Sequence, residues 1–106
     1  MKKKIFIILF GCILFASVAS AQCVTYKTKR GDSCGNEKSI DVTFTNNCSD
    51  ILDIYHCMQR PDRSWSCSLS TDIKPGKKAQ IWMCESTGRV FYDTRQAGTN
   101  DQFRKP

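Results

Sequence analysis

The cysteines constrain this chain more than any other feature. Seven occur in 106 residues, and the number becomes even once the N-terminus is read as an export signal. Lys2, Lys3 and Lys4 form a positive start, Ile5 to Ala16 is apolar, and Ala19 and Ala21 occupy the small-residue positions of an A-x-A cleavage site. An uncleaved anchor would need ~20 apolar residues, and this stretch ends sooner, in serines and alanines. Gln22 before Cys23 does not suit lipidation. Cleavage after Ala21 removes Cys12 and leaves Cys23, Cys34, Cys48, Cys57, Cys67 and Cys84. An even set in an exported chain reads as three disulfides, with fifteen connectivities open. No Cys-x-x-Cys occurs, so the spacing does not suit zinc, and neither a metal nor another cofactor is expected.

One pairing has a geometric argument. Arg60-Pro61-Asp62-Arg63 is a turn signal between two strand-like runs. Cys57 and Cys67 lie symmetrically about Asp62, so a regular hairpin sets them directly opposite each other, where Cβ atoms approach closely. Cys57–Cys67 is therefore favoured. Cys23–Cys34, closing the loop that holds Gly31 and Gly35, and then Cys48–Cys84 are working assignments only.

Composition shows why such staples are needed. Leu, Ile, Val and Phe number 13 in the 85 residues after Ala21, about 15%, below the ~20% under which chains tend toward disorder. The formal charge of +6 includes three signal lysines, and the remainder carries 13 basic against 10 acidic residues, a net +3. That balance disfavours a nucleic-acid binder. After cleavage nothing is left to insert stably in a membrane.

Strand signals run through the mature part. Ile40, Val42 and Phe44 alternate with Asp41, Thr43 and Thr45. Ile51 to Cys57 is apolar on both faces and reads as a central strand. Ser64 to Leu69 alternates, with Trp65, Cys67 and Leu69 expected inward and the serines outward. Lys74-Pro75-Gly76-Lys77 is a type II turn signal. Ala79 to Cys84 and Arg89 to Arg95 read as a hairpin, with Trp82 facing Phe91 and Ile81 facing Tyr92. No helical period occurs. The expected fold is all-β: a small disulfide-stapled antiparallel sandwich or barrel of about six strands. Residues 1–21 form the signal, 22–95 the domain, and 96–106 a polar, loosely held tail.

Chemistry is sparse. The single histidine, His56, adjoins Cys57, a half-cystine rather than a thiolate nucleophile, and reads as a partly exposed strand residue. The ten acids are scattered, mostly in or beside turns. Asn47-Cys48-Ser49 matches a glycosylation sequon, but a bridged Cys48 would crowd it. Lys27, Lys29 and Arg30 form one basic cluster and Lys74, Lys77 and Lys78 another; a polyanion or a membrane surface could use them, but at a net +3 solubility and the protection of strand edges are the favoured reading. The candidate binding residues are Arg30 and Asp32 in a loop over Arg30–Asn36, Arg60 and Arg63 in the turn, and Trp65 and Trp82.

These features point to an exported, non-catalytic binding or structural module, periplasmic or secreted. Its partner would be a protein or a glycan. The rival reading is a small inhibitor or toxin acting on another protein, and an enzyme ranks third. The exported form should begin at Gln22; intact-mass measurement checks this, and a mass retaining residues 1–21 or a lipid adduct would exclude it.

Overall fold

The computed structural model describes residues 23–35 and 37–106; the expected signal segment and its cleavage point lie outside the described residues. Six strands follow one another: β1 (Val24–Cys34), β2 (Glu37–Asn46), β3 (Leu52–Gln59), β4 (Trp65–Ile73), β5 (Lys78–Cys84) and β6 (Val90–Gln96). All pairings are antiparallel. The strands form two three-stranded sheets, ordered β1-β2-β5 and β4-β3-β6. The all-β fold expected from the alternation is what the chain adopts.

The alternation of β2 sets the first sheet. Val42, Phe44 and Asn46 are buried on its inner face, while Asp41, Thr43 and Thr45 face outward. In the second sheet, β3 lies between two neighbours, and seven of its eight residues are buried. Its inner residues Leu52, Ile54 and Met58 join Val24, Val42, Phe44 and Ala79 of the first sheet in one core. Phe44 is the main contact between the sheets. Its ring stacks on His56 at 5.5 Å and meets Tyr92 at 5.4 Å and Tyr26 at 5.7 Å. The Tyr92 hydroxyl donates to the Val24 carbonyl at 3.1 Å, which ties β6 to the first sheet.

Several local expectations change. β5 and β6 do not form a hairpin: β5 pairs with β2 and β6 with β3, so Trp82 stands beside Asp41 rather than Phe91. The connecting segment is instead captured by the end of β3. Thr87 donates from its backbone to the Gln59 carbonyl at 3.1 Å and from its hydroxyl to Gln59 Oε1 at 2.7 Å. In β4 the faces are reversed. Ser66, Ser68 and Ser70 pair with Met58, His56 and Ile54 on the core-facing side, and Trp65, Cys67 and Leu69 lie on the outer side. β4 is an edge strand, so its inward face reaches past the core and tolerates serine. The stretch Arg30–Cys34 is strand rather than loop, continuing β1 through a bulge to a tight turn at Gly35, whose φ of 69° suits glycine. The Pro75-Gly76 turn forms with Gly76 at φ 82° and Lys77 donating to the Lys74 carbonyl at 2.9 Å.

Cys57 and Cys67 are direct cross-strand partners with Cα atoms 4.0 Å apart, and they form a disulfide. The other two bridges are Cys23–Cys48 and Cys34–Cys84, which corrects the assignments Cys23–Cys34 and Cys48–Cys84. The reason lies in the length of the first hairpin. β1 runs antiparallel to β2, so Cys23 and Cys34 sit at its opposite ends, each beside a different partner.

The C-terminal residues lie across the outer face of the second sheet. Phe103 stacks on Tyr55 at 5.3 Å, Arg95 lies over Phe103 at 4.6 Å, and Lys105 lies over Tyr55 at 5.2 Å. The Arg104 backbone N–H donates to Asp93 at 2.8 Å. These contacts hold a stretch whose composition reads as a loose tail.

Cys34–Cys84 spans 50 residues and Cys57–Cys67 spans 10. On the loop-entropy model, removing the first by paired Ala substitution should cost about 4 kcal/mol and removing the second about 2.5 kcal/mol. Urea unfolding of the two variants checks the order.

Candidate functional site

Three connections meet at one end of the two sheets. The hairpin tip after Cys34 is bound to the end of β5 by Cys34–Cys84. The turn Arg60–Ser64 follows β3, whose last residue, Gln59, donates from its backbone to the Arg89 carbonyl at 3.1 Å. The segment Glu85–Arg89 is thereby held between the other two. Of the six candidate binding residues, Arg60 and Arg63 belong to this rim, Arg30 and Asp32 lie beside it on β1, where Arg30 pairs with Ile40, and all four are exposed.

They are not equivalent. Arg60 is committed to its own turn, with Nη1 donating to Ser64 Oγ at 3.0 Å and to the Trp65 carbonyl at 3.2 Å. Asp62 accepts from the Ser64 hydroxyl at 2.6 Å and from its backbone N–H at 2.9 Å. These bonds, the hydroxyl first, hold the Asp62 carboxyl below its ordinary value of 3.8. Arg63 sits in the left-handed region at φ 73° and is exposed. Neither Arg30 nor Arg63 forms an ion pair among the described residues.

The two tryptophans are separated. Trp65 is half-buried on the outer face of the second sheet, with the Arg89 guanidinium 5.7 Å from its ring centre. Trp82 is 56% exposed on the outer face of the first sheet. They do not form one aromatic platform.

His56 differs from its expected exposure. It is buried, 2% exposed, because its ring fills the space over Phe44. Its Nε2 lies 2.8 Å from Ser70 Oγ and its Nδ1 lies 3.1 Å from Ser68 Oγ. A neutral imidazole donates from one nitrogen and accepts at the other, so the two hydroxyls satisfy it completely. A hydroxyl beside an imidazole is one element of nucleophilic catalysis. Here a second serine occupies the position where a carboxylate would stabilise the imidazolium. The sequence signal for this pairing is the alternation of Ser64, Ser66, Ser68 and Ser70. Burial pushes the His56 pKa below its ordinary value of 6.5, opposed only in part by a backbone hydrogen bond.

Asp53 is a second buried polar centre. It accepts from Arg95 Nε at 2.9 Å and from the Asp72 backbone at 3.0 Å. Asp72 has φ 56° at the bulge of β4, so this carboxylate stabilises a fold irregularity and is occupied. Among the described residues no three of His, Cys, Asp and Glu converge as metal ligands, and no helix is long and apolar enough to cross a membrane. Compared with protein-family models, with curated proteins and with solved structures, the chain gives no match.

The burial of His56 has a sign that can be measured. Its folded pKa lies below the unfolded value, so the unfolded chain binds the proton more readily. The contribution is fully present above about pH 6.5 and is lost as pH falls below it, until the folded pKa is reached. Asp62 and Asp93 are held below 3.8 and titrate at lower pH. The melting temperature should fall between about pH 7.5 and about pH 5, and His56→Gln should flatten that slope. Thermal unfolding monitored by near-UV dichroism checks both.

Proposed function

We propose that the protein is an exported, non-catalytic binding module that meets its partner, a protein or a glycan, through the rim formed by the hairpin tip, the Arg60–Ser64 turn and the Glu85–Arg89 segment. The observation that carries this reading is the gathering of those three connections by Cys34–Cys84 and by the hydrogen bonds at Gln59. Loops fixed on a rigid scaffold lose little entropy on binding and are where recognition residues concentrate. Arg30 and Arg63 supply exposed guanidiniums, which suit carboxylate or carbonyl acceptors. Three disulfides fit an oxidising compartment and so support export. The enclosure of His56 between two serines favours a structural role over turnover.

Crosslinking of the oxidised protein within the native secretome, followed by affinity measurement on the captured partner, tests the reading. Arg30→Glu with Arg63→Glu should weaken binding by about tenfold or more, with the melting temperature unchanged. His56→Gln should bind as the wild type does. If His56→Gln instead abolishes a turnover activity while fold and affinity persist, the module is an enzyme.

A further inference from the structure

The outer face of the first sheet carries a three-by-three grid of side chains, set by the strand register. One row is Thr25, Thr45 and Lys78, the next is Lys27, Thr43 and Gln80, and the third is Lys29, Asp41 and Trp82. Rows are two residues apart along the strands, about 7 Å, and columns about 5 Å apart. Lys27 and Lys29 of one basic cluster and Lys78 of the other, distant in the sequence, therefore share one face, on either side of β2. A shallow depression of about 460 Å³ runs over the first two rows and continues into one of about 160 Å³ beside Trp82.

We infer that this face binds a polysaccharide bearing repeated anionic groups, carboxylate or sulfate, as a site separate from the loop rim. Charge complementarity is the first argument. Lys27, Lys29 and Lys78 are exposed, against a single carboxylate, Asp41, which already accepts from the Ser39 hydroxyl at 2.6 Å. The polar groups are the second argument. Lys78 Nζ donates to Thr45 Oγ1 and Gln80 Nε2 donates to Thr43 Oγ1, each at 3.3 Å. These long, exposed bonds hold the donors over the face and can be exchanged for sugar hydroxyls and anionic oxygens. Trp82 is the third. Its indole stands at a corner of the grid, 56% exposed and without a ring or cation partner among the described residues. Its π face suits the polarised C–H face of a pyranose ring.

The same grid argues against two other anions. A nucleic acid would want successive aromatic platforms, and the face has one. A lipid surface would want a continuous apolar face beneath the charges, and here the interior of the grid is threonine.

Titration with polygalacturonate, dextran sulfate and uncharged dextran tests the inference, read by tryptophan fluorescence and calorimetry. At least one anionic polymer should bind and shift the emission, uncharged dextran should not, and affinity should fall as salt rises from about 50 mM to about 300 mM. The triple variant Lys27→Gln, Lys29→Gln, Lys78→Gln should lose about tenfold or more. Trp82→Phe should abolish the emission shift, and Trp82→Ala should lower affinity several-fold. All four positions are exposed, and unchanged near-UV dichroism and melting verify each fold. Binding of neither anionic polymer overturns the inference. So does binding that the lysine and Trp82 variants leave unaltered, or equal binding of single-stranded DNA. Association with phosphatidylglycerol vesicles but with neither polymer assigns the face to a membrane surface instead. Arg63→Gln, on the rim and outside the grid, should leave polymer binding intact, so the rim and the sheet face fail or stand independently.

Discussion

Everything in this domain depends on the packing of Phe44 against the second sheet. The inner faces are short of aliphatic side chains, and one ring touches His56, Tyr92 and Tyr26 together. An imidazole takes the place that a leucine or phenylalanine would hold in a richer core. It is accommodated only because Ser68 and Ser70 satisfy both of its nitrogens, since a buried polar group without partners is costly. The serines of β4 are thus part of the core's chemistry even though they sit at its margin.

Around that contact, the bridges lie where apolar burial gives out. Cys23–Cys48 fastens one end of the first sheet and Cys34–Cys84 the other, while Cys57–Cys67 stiffens the hairpin whose second strand has few apolar inward residues. The outer face of the second sheet is covered differently. Phe103, Arg104 and Lys105 cross it through ring and cation contacts with Tyr55 and Phe91. Each such contact is weak alone, of order 0.5–1 kcal/mol at exposed sites, but they share one short segment.

Local features are legible in the sequence. The alternation of Ile40, Val42 and Phe44 specifies a strand with one buried face, the apolar run after Ile51 specifies a central one, and Pro75-Gly76 specifies its turn. The symmetric spacing of Cys57 and Cys67 points to the bridge between them. What could not be read is which strand pairs with which across long stretches of chain. Ala79 to Cys84 and Val90 to Gln96 look like two arms of a hairpin, but they pair with β2 and β3, and Gln59 holds the segment between them through Ser86 and Thr87. The same non-local pairing brings Lys78 to the face of Lys27 and Lys29. It also places Trp65 and Trp82 on opposite outer faces, although alternation alone leaves them equivalent.

The interleaved strand order has a consequence for how the chain matures. Each sheet draws its third strand from the last part of the sequence, β5 for one and β6 for the other. Neither sheet is complete until almost the whole polypeptide is free to fold. A chain oxidised in order of emergence would join Cys23 to Cys34, the first two thiols to meet, whereas the native pattern skips to Cys48 and Cys84. Reaching it requires either that oxidation wait for strand pairing or that an early bridge be reshuffled by thiol–disulfide exchange. Either way, the native bridges follow the order in which strands pair rather than the order of the cysteines along the chain.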